Sequence, residues 1–187
     1  MEKLLGFLES IHPMTDGLKQ HLATILKVIN LPKKEYLLKS GHVSRKICFI
    51  GQGLLRCFYF KDGHEVSSWF MKEGDVIISV ESFLSQKPSY ESIQALEDCL
   101  LYYITYDELQ SVYKNFSEFN FIGRVLLERY YTLSEQRLFS LRMQRAQERY
   151  DYLMEYHSEL LLRVPAKYLA SYLGITEVTM SKIKARM

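Results

Sequence analysis

The chain alternates between stretches of helical periodicity and stretches of short β-type runs. Apolar residues recur at helical spacing over residues 1–29, and Pro13 interrupts the pattern, which predicts two helical segments there. Over 32–105, short runs rich in β-branched and aromatic residues alternate with glycine-containing turns, which predicts a small antiparallel sandwich or barrel. Residues 61–64 have the composition of a two-residue hairpin. The predicted strands contain the runs EYLLK, KICFI, LLRCFYF, VSSWFM, SIQAL and LLYYIT.

The part of the chain that follows is predicted to be helical. Asp107 is placed to cap a short helix, and a long helix is expected over 117–141. Another helix is expected over 146–162, and Val164-Pro165 punctuates it because proline suits a first helical turn but not a helix interior. The long helix carries an apolar seam that needs a partner surface, so we expect a homodimer. The seam begins at Phe119, and the residues assigned to dimerisation are Ile122, Leu126, Tyr130 and Leu133.

The stretch YLASYLGITEVTMSKIKARM, from Tyr168 to Met187, has the pattern of two short helices with a turn at Gly174. Thr176 is expected to be the N-cap of the second helix, with Glu177 near its positive end. This arrangement suits a helix-turn-helix that reads DNA, and a plain helical hairpin is the alternative. The positions expected to face inward are Leu169, Tyr172, Ile175, Met180 and Ile183.

Charge changes this picture only locally. Hydrophobic residues make up 48% and charged residues 25% of the 187, which allows a sizeable core and argues against disorder. Because the net charge is only +2, any nucleic-acid surface must be a local concentration of positive charge. Basic residues do cluster, at Arg137, Arg142, Arg145 and Arg149, then Arg163, and finally Lys182, Lys184 and Arg186.

Several classes of protein are disfavoured. Cys48, Cys57 and Cys99 are widely spaced, which argues against a disulfide framework, a zinc site or an iron–sulfur cluster and favours free thiols. The five histidines show no local pairing that would favour haem sensing. The N-terminus does not resemble a signal peptide, no run is long enough to span a membrane, and we expect a cytoplasmic protein without a membrane partner. The absence of Walker, GxSxG and HExxH motifs argues against an enzyme.

The segment LASYLGITEVTMSKIKAR resembles the helix-turn-helix of the cyclic-AMP receptor protein/fumarate–nitrate regulator (Crp/Fnr) family of bacterial transcription factors. The hairpin GQGLLRCFYFKDGHE, the EGD turn and IQALED resemble the β-roll of that family, so the resemblance covers most of the chain. It implies an α+β fold: an N-terminal double-stranded β-helix (a jelly-roll-like β-roll), a dimerisation helix at about 117–141 and a C-terminal helix-turn-helix. The implied domains are 1–141 and 142–187.

The resemblance also implies how DNA would be bound. The two recognition helices of a dimer would enter successive major grooves of a palindromic site, about 34 Å apart. Base contacts would fall on Glu177, Val178 and Lys182, and Thr176, Thr179 and Ser181 would support contacts to the DNA backbone. A glutamate typical of the family aligns with Val178, so the base preference is expected to differ. The DNA-binding set also includes Lys184 and Arg186, and the β-wing that follows in the family is expected to be absent or truncated.

The effector site of the family binds a cyclic phosphate with a Gly-Glu pair and an arginine. Here these positions fall on Ile78, Ser79 and Ser89, so the cation that would compensate a buried phosphate is missing. We therefore expect that cyclic AMP is not bound tightly. The domain either binds a different, less anionic small molecule or is a ligand-free scaffold. The candidate pocket residues are Ile78, Ser79, Val80, Glu81, Ser82, Ser89 and Tyr90.

The sequence thus favours a homodimeric, DNA-binding transcription regulator with no assigned cofactor. RNA polymerase would be a further partner if the protein activates transcription. The alternative is a ligand-binding or protein-interaction module of the same fold that has lost DNA binding.

Overall fold

The computed structural model describes residues 1–185, so the candidate DNA-binding residue Arg186 lies outside the described residues. The chain divides into two compact units. The N-terminal unit comprises Met1–Cys57 and Phe70–Glu128, and the C-terminal unit comprises Phe58–Trp69 and the residues from Arg129 onward. The domain boundary expected at 141/142 stays a prediction. The two compact units divide at a different place, within the long helix, and the C-terminal unit also includes one β-hairpin.

Two helices open the chain, α1 (Glu2–Ile11) and α2 (Asp16–Ile25). They are separated near Pro13, as predicted, and the Thr15 hydroxyl caps α2 by accepting a hydrogen bond from the Leu18 amide at 3.2 Å. The prediction of helix as far as residue 29 was wrong at its end. Leu26 has extended backbone angles, and the chain enters strand β1 (Lys27–Leu31) directly after it.

Eight strands are described in residues 1–185, with one short helix between them, α3 (Val80–Ser85). After β1 the strands are β2 (Tyr36–Leu38), β3 (Lys46–Gln52), β4 (Leu55–Lys61), β5 (His64–Met71), β6 (Val76–Ile77), β7 (Ser92–Ala95) and β8 (Cys99–Thr105). All six predicted strand runs are confirmed within a residue or two at their ends. The short strand β6 and the helix α3 were not predicted.

The strands form two four-stranded sheets, with the orders β1-β8-β3-β6 and β2-β7-β4-β5. The pairs β1–β8, β2–β7, β3–β6 and β3–β8 are antiparallel, so the prediction of an antiparallel β-roll is confirmed. The predicted hairpin joins β4 to β5. Asp62 and Gly63 have φ angles of 52° and 78°, the left-handed conformation that both central residues of a type I′ turn require.

Helix α4 (Tyr106–Asn115) follows β8 directly. Its N-cap is Thr105, whose hydroxyl accepts from the Glu108 amide while the Glu108 carboxylate accepts from the Thr105 amide at 2.8 Å. The prediction that Asp107 caps this helix was therefore wrong. A threonine followed three residues later by a glutamate is a capping box, and this signal in the sequence favours the earlier start.

The remaining described helices are α5 (Ser117–Met143), α6 (Ala146–Tyr156), α7 (Ser158–Arg163), α8 (Ala166–Leu173) and α9 (Glu177–Lys184). The long helix predicted over 117–141 is confirmed. The continuous helix predicted over 146–162 was wrong, because His157 has φ −142° and ψ 36° and separates α6 from α7. The predicted break at Val164-Pro165 is present.

Each unit has its own apolar core. In the N-terminal unit, α1, α2, α4 and the start of α5 pack over one face of the roll, where Leu18, Phe83 and Val112 are buried together. In the C-terminal unit, α8 and α9 pack against each other and against α6, and Leu153, Leu169 and Met180 are buried. Among residues 1–185, no helix is long and apolar enough to cross a membrane.

Candidate functional site

The turn between α8 and α9 is fixed by Gly174. This residue has φ 65° and ψ 36°, a left-handed conformation that ends a helix without steric cost only when the side chain is absent. The Ile175 amide donates to the carbonyl of Ala170 at 3.0 Å and closes the end of α8. Only three residues, 174–176, therefore separate α8 from α9, as the sequence pattern predicted.

Thr176 begins α9 as predicted. Its Oγ1 accepts a hydrogen bond from the Thr179 amide at 3.1 Å and lies 2.9 Å from the Thr179 Oγ1. Glu177 follows in the first turn, where its negative charge complements the positive end of the helix dipole. The N-terminus of α9 is thus held by local bonds rather than by a partner.

One face of α9 is buried and the opposite face is exposed. Met180 and Ile183 are buried, three residues apart, as predicted. Glu177, Val178, Ser181 and Lys182 are exposed and, at 100° per residue, cover the opposite side of the helix. Lys184 is exposed beside them. We call Glu177, Val178, Ser181 and Lys182 the exposed α9 face.

The remaining candidate DNA-binding residues and the positions expected to face inward differ in their burial. Thr176 is exposed and Thr179 is half-buried, beside the exposed α9 face at the start of the helix. Leu169 is buried, as expected, but Tyr172 and Ile175 are only half-buried. The inner side of α8 is completed instead by Ala170 and Leu173, which the sequence reasoning missed. Their spacing of three and four residues from Leu169 and each other is the signal that could have found them.

Helix α8 is tied to the β4–β5 hairpin inside the C-terminal unit. The Ser171 hydroxyl accepts from the Ser67 amide at 2.9 Å and donates to the Glu65 carbonyl at 3.1 Å. A single hydroxyl thus satisfies two backbone groups of strand β5. The hairpin therefore supports the first helix of the α8–α9 pair.

The end of α8 is held by two arginines. The Arg149 Nε donates to the Leu173 carbonyl at 2.7 Å, and Arg137 donates to the Tyr172 carbonyl. The last carbonyls of a helix lack partners within it, and cations there also complement the helix dipole. The guanidinium of Arg137 stacks 3.6 Å above the centroid of the Tyr172 ring. Sequence reasoning noted this arginine cluster as local charge but assigned it no role.

The candidate effector residues of the β-roll do not form one open pocket. Ser79, Ser82 and Ser89 are buried, whereas Val80, Glu81 and Tyr90 are exposed and Ile78 is half-buried against the apolar core. The Ser79 and Ser89 hydroxyls lie 2.9 Å apart, and Ser82 accepts from the Ser44 amide at 2.9 Å. The buried serines therefore find their hydrogen-bond partners inside the domain.

A carboxylic acid extends this polar network. The Ser89 hydroxyl donates to the Glu91 carbonyl at 3.0 Å, and the Glu91 amide donates to the same hydroxyl at 3.0 Å. The Glu91 carboxyl forms a hydrogen bond with the Ser79 side chain. Burial raises the pKa of the Glu91 carboxyl, the hydrogen bond from Ser79 lowers it, and the charge of Glu81 raises it again. The protonated form is therefore favoured more than in a solvated glutamate.

One cationic side chain lies in the interior of the β-roll. Arg56 is fully buried and donates from Nη2 to the Gln94 side-chain oxygen at 3.1 Å. It lies on β4, outside the segment that would hold a phosphate in the family the sequence resembles. The sequence did not predict its burial, because alternation along a strand does not lead one to expect that residues 55–58 are all buried, on both faces of β4.

The predicted dimerisation residues divide along α5. Ile122 is fully buried in the core of the N-terminal unit, and Leu126 packs against the same core. Tyr130 and Leu133 are half-buried in the second half of the helix. Another set of apolar residues on α5 is exposed: Leu127, Tyr131, Leu138 and Leu141. Their spacing of four, seven and three residues places them on one stripe, which we call the α5 stripe.

Comparison with known proteins identifies the β-rich part. Residues 28–116 match the family model for the cyclic nucleotide-binding domain. This part of the chain is therefore similar to cyclic nucleotide-binding domains. No curated protein sequence matches the chain.

Solved structures extend the likeness to the helices that follow this region. FixK2 from Bradyrhizobium japonicum is similar with a TM-score of 0.72 and 18% identity, over 87% of this chain and 84% of that one. A CooA mutant from Carboxydothermus hydrogenoformans gives 0.71 and 18%, over 96% and 83%. The catabolite activator protein of Thermus thermophilus gives 0.59 and 17%, over 94% and 84%. At this identity the likeness shows the fold, and it confirms the fold class expected from the resemblance to Crp/Fnr regulators.

Proposed function

We propose that the protein is a sequence-specific DNA-binding transcription regulator that acts as a homodimer in the cytoplasm. The observation that carries the proposal is the exposed α9 face, which places a small polar, a basic, an acidic and an apolar side chain on the side of the helix opposite the buried Met180 and Ile183. The Thr176 cap and the Gly174 turn define the start of α9, and two arginines hold the end of its neighbour α8, which supports a helix pair of fixed geometry.

The chemistry of the exposed α9 face suits a major groove. Lys182 and Ser181 can donate to phosphates or base edges, and the Val178 methyl groups, with that residue 64% exposed, can contact the thymine methyl group. Glu177 can accept from the amino group of cytosine. The mixture of contact types supports reading of sequence and not only attraction to phosphate.

The α5 stripe supports dimerisation better than the four residues predicted from the sequence. Ile122 is already used by the core of its own chain, whereas Leu127 and Tyr131 are 63% and 65% exposed. Exposed apolar residues in a coiled-coil spacing on a helix of 27 residues favour a helical partner. A second copy of α5 supplies the same stripe in a twofold arrangement.

We also propose that cyclic AMP does not bind tightly in the β-roll. A cyclic phosphate would have to break the hydrogen bond between Ser79 and Ser89. It would also lie beside the carboxyl group of Glu91, which offers no positive charge to an anion. Neither change is compensated by a cation at the positions that the family uses. A less anionic ligand and a ligand-free scaffold are both compatible with the closed serine network.

An interaction module that has lost DNA binding is the second candidate. The observation in its favour is the group of exposed apolar side chains on the C-terminal unit, where Leu162 is 91% and Tyr156 58% exposed. Such residues suit a protein partner.

Selection of DNA fragments tests both candidates. The purified protein is mixed with a random DNA pool at about 100 mM salt, where non-specific contacts are weak, with and without cyclic AMP. We expect a palindromic sequence to be enriched equally in both arms. Enrichment only with cyclic AMP would overturn the statement about the β-roll, and no enrichment in either arm would favour the interaction module.

A matched pair of variants shows which surface binds. Lys182→Gln removes a charge from the exposed α9 face, and Lys114→Gln removes one from the exposed end of α4 in the N-terminal unit. We expect the first variant to lose affinity for the selected site and the second to keep it, with unchanged circular dichroism in both. Equal behaviour of the two variants would place the DNA elsewhere.

A further inference from the structure

The C-terminal unit contains a cavity that the proposed function does not use. Its volume is about 590 Å³. It lies among α5, α6 and the end of α8, and Trp69 of strand β5 also lines it. This volume is within the range of pockets that hold small molecules. The cavity belongs to one compact unit and is separate from the serine network of the β-roll.

Two guanidinium groups line this cavity. Arg137 and Arg149 come from different helices, and in the described part of the chain neither forms an ion pair. Their hydrogen bonds go to backbone carbonyls: Arg149 donates to Gln144 and Leu173, and Arg137 to Tyr172. Carbonyl oxygens carry no net charge, so two positive charges in one cavity remain uncompensated.

One donor of Arg137 has no hydrogen-bond partner within residues 1–185. The Arg137 Nε is buried and lacks a hydrogen-bond acceptor. A buried donor without an acceptor is destabilising, and such groups are rare in folded proteins. The pKa of Arg137 is lowered, first by burial and also by the neighbouring charge of Arg149, despite the attraction of Tyr172. Glu135 is a carboxylate on the wall, but it makes no ion pair with either arginine.

The rest of the wall is largely aromatic. Trp69, Phe139, Tyr152 and Tyr172 offer flat apolar surfaces, and Tyr172 already holds the Arg137 guanidinium against its ring. Flat rings favour a flat ligand, through stacking and burial of apolar area. The combination of two arginines with aromatic walls defines the chemistry of an occupant.

We propose that the cavity bounded by Trp69, Arg137, Arg149 and Tyr172 binds a small organic anion that contains a planar ring. An aromatic carboxylate and a nucleoside phosphate share this chemistry, and both can accept from a fork of guanidinium donors while the ring lies between aromatic side chains. The anion compensates the paired positive charges, and a shift of the Arg137 side chain toward it gives the buried Nε the acceptor that it lacks.

The position of the cavity gives such a ligand a route to the α8–α9 pair. The same two arginines hold the carbonyls of Tyr172 and Leu173, immediately before the Gly174 turn. A ligand that draws either guanidinium toward itself competes with these carbonyls and loosens the end of α8. This regulatory use rests on the proposed DNA-binding function, whereas ligand binding itself does not.

Calorimetric titration of the full chain tests the proposal with defined probes. The probes are benzoate and adenosine monophosphate, their uncharged counterparts benzamide and adenosine, and inorganic phosphate. We expect saturable binding of one ring-containing anion, at least about tenfold tighter than its uncharged counterpart and than phosphate. Which of the two anions binds identifies the source of the ligand.

The only tryptophan of the chain, Trp69, reports on the location of binding because it lines the cavity. Its fluorescence, excited where the probes do not absorb, should change with the same midpoint as the heat. Saturable heat without a fluorescence change would place the ligand elsewhere and overturn the assignment.

Variants complete the test. Arg149→Gln should weaken binding about tenfold or more, and Arg142→Gln, which changes an exposed arginine at the end of α5, should bind like the unmodified protein. If Arg149→Gln does not fold, Arg137→Lys keeps the charge but loses the planar fork and should show the same weakening. The proposal is overturned if no ring-containing anion binds, if uncharged probes bind equally, or if folded arginine variants of the cavity bind as well as Arg142→Gln.

These measurements need no DNA, so failure of the proposed function does not affect them. If the anion binds and a DNA site is found, a shift in DNA affinity on adding the anion tests the coupling. Binding of the anion without any DNA site would support the cavity and overturn the proposed function alone.

Discussion

The Thr176 hydroxyl accepts a hydrogen bond from the Thr179 amide and contacts the Thr179 hydroxyl, so one side chain closes the first turn of α9, beside the exposed α9 face. An amide at the start of a helix has no acceptor within the helix. The bond therefore stabilises the helix end and also orients the first residues of the proposed DNA surface.

Replacement of Thr176 tests this relationship. We expect Thr176→Ala to lower the free energy of unfolding by about 1 kcal/mol, within the usual range for loss of an N-cap. Thr176→Ser keeps the hydroxyl and should lose less. Urea denaturation followed by circular dichroism measures both. Equal stability of the alanine and serine variants would show that the cap does not contribute.

The periodicity of the sequence predicted the elements well where one rule governed them. The strand runs, the hairpin at Asp62-Gly63 and the Thr176 cap each depend on neighbours in sequence, and all are present. The same rules failed at residues 27–29, where apolar residues at helical spacing belong to a strand. Pairing of Lys27–Leu31 with β8 decides the conformation there, and a partner distant in sequence leaves no local signal.

The candidate sites were less predictable because they depend on tertiary contacts. Apolar spacing assigned Ile122 to the dimer seam and did not single out Leu127, and only the packed core shows that the first is buried and the second exposed. The arginine cluster was visible as charge, but the cavity between Arg137 and Arg149 depends on how α5, α6 and α8 pack. Function at such a cavity has no motif to reveal it.

The two apolar residues just compared should respond differently to the same truncation. Ile122→Ala removes fully buried atoms and should lower the free energy of unfolding by about 2–5 kcal/mol. Leu127→Ala changes a residue that is 63% exposed in the single chain and should cost the monomer less than about 0.5 kcal/mol. Thermal unfolding at low protein concentration measures both, because dimer formation adds stability only at higher concentration. Similar losses in both variants would contradict the assignment.

The α5 stripe should control the oligomeric state. A charge at Leu138 would lie in the proposed interface without a partner, so Leu138→Asp should weaken the dimer by at least about tenfold. Gln136→Asp introduces the same charge on the opposite side of the helix and should have little effect on dimerisation. Sedimentation equilibrium over a range of concentrations gives the dissociation constants. A dimer that tolerates Leu138→Asp would use a different surface.

The buried Glu91 makes stability depend on pH. Because burial raises its pKa in the folded state, the folded protein binds the proton more tightly than the unfolded chain. Its favourable contribution is present at low pH and is lost as the pH rises from about 4 through the folded-state pKa. The groups that act on it are Ser79, which opposes the shift, and Glu81, which adds to it.

Glu91→Gln should remove this dependence. The amide stays neutral, so we expect the variant to gain stability relative to the unmodified protein as the pH is raised from about 4 to 7. Glu2→Gln, at an exposed position of α1, controls for the loss of one carboxylate. Urea denaturation at several pH values gives the difference. A difference that stays constant with pH, or that shrinks as the pH rises, would show that Glu91 is ionised in the fold without cost.

Salt dependence should separate the roles of Lys182 and Val178 on the exposed α9 face. A lysine on a phosphate releases about one counterion, so Lys182→Gln should lower affinity for every sequence and reduce the slope of log affinity against log salt by about 0.9. Val178→Ala removes methyl groups from an exposed, uncharged position and should leave the slope unchanged while it relaxes the base preference at one position of the site. Binding of the selected site and of single-base variants, at several salt concentrations, measures both effects. If Lys182→Gln leaves the slope unchanged and alters the base preference, Lys182 contacts a guanine edge instead. If both variants lose the same affinity for all sequences, α9 only supports another DNA-binding surface.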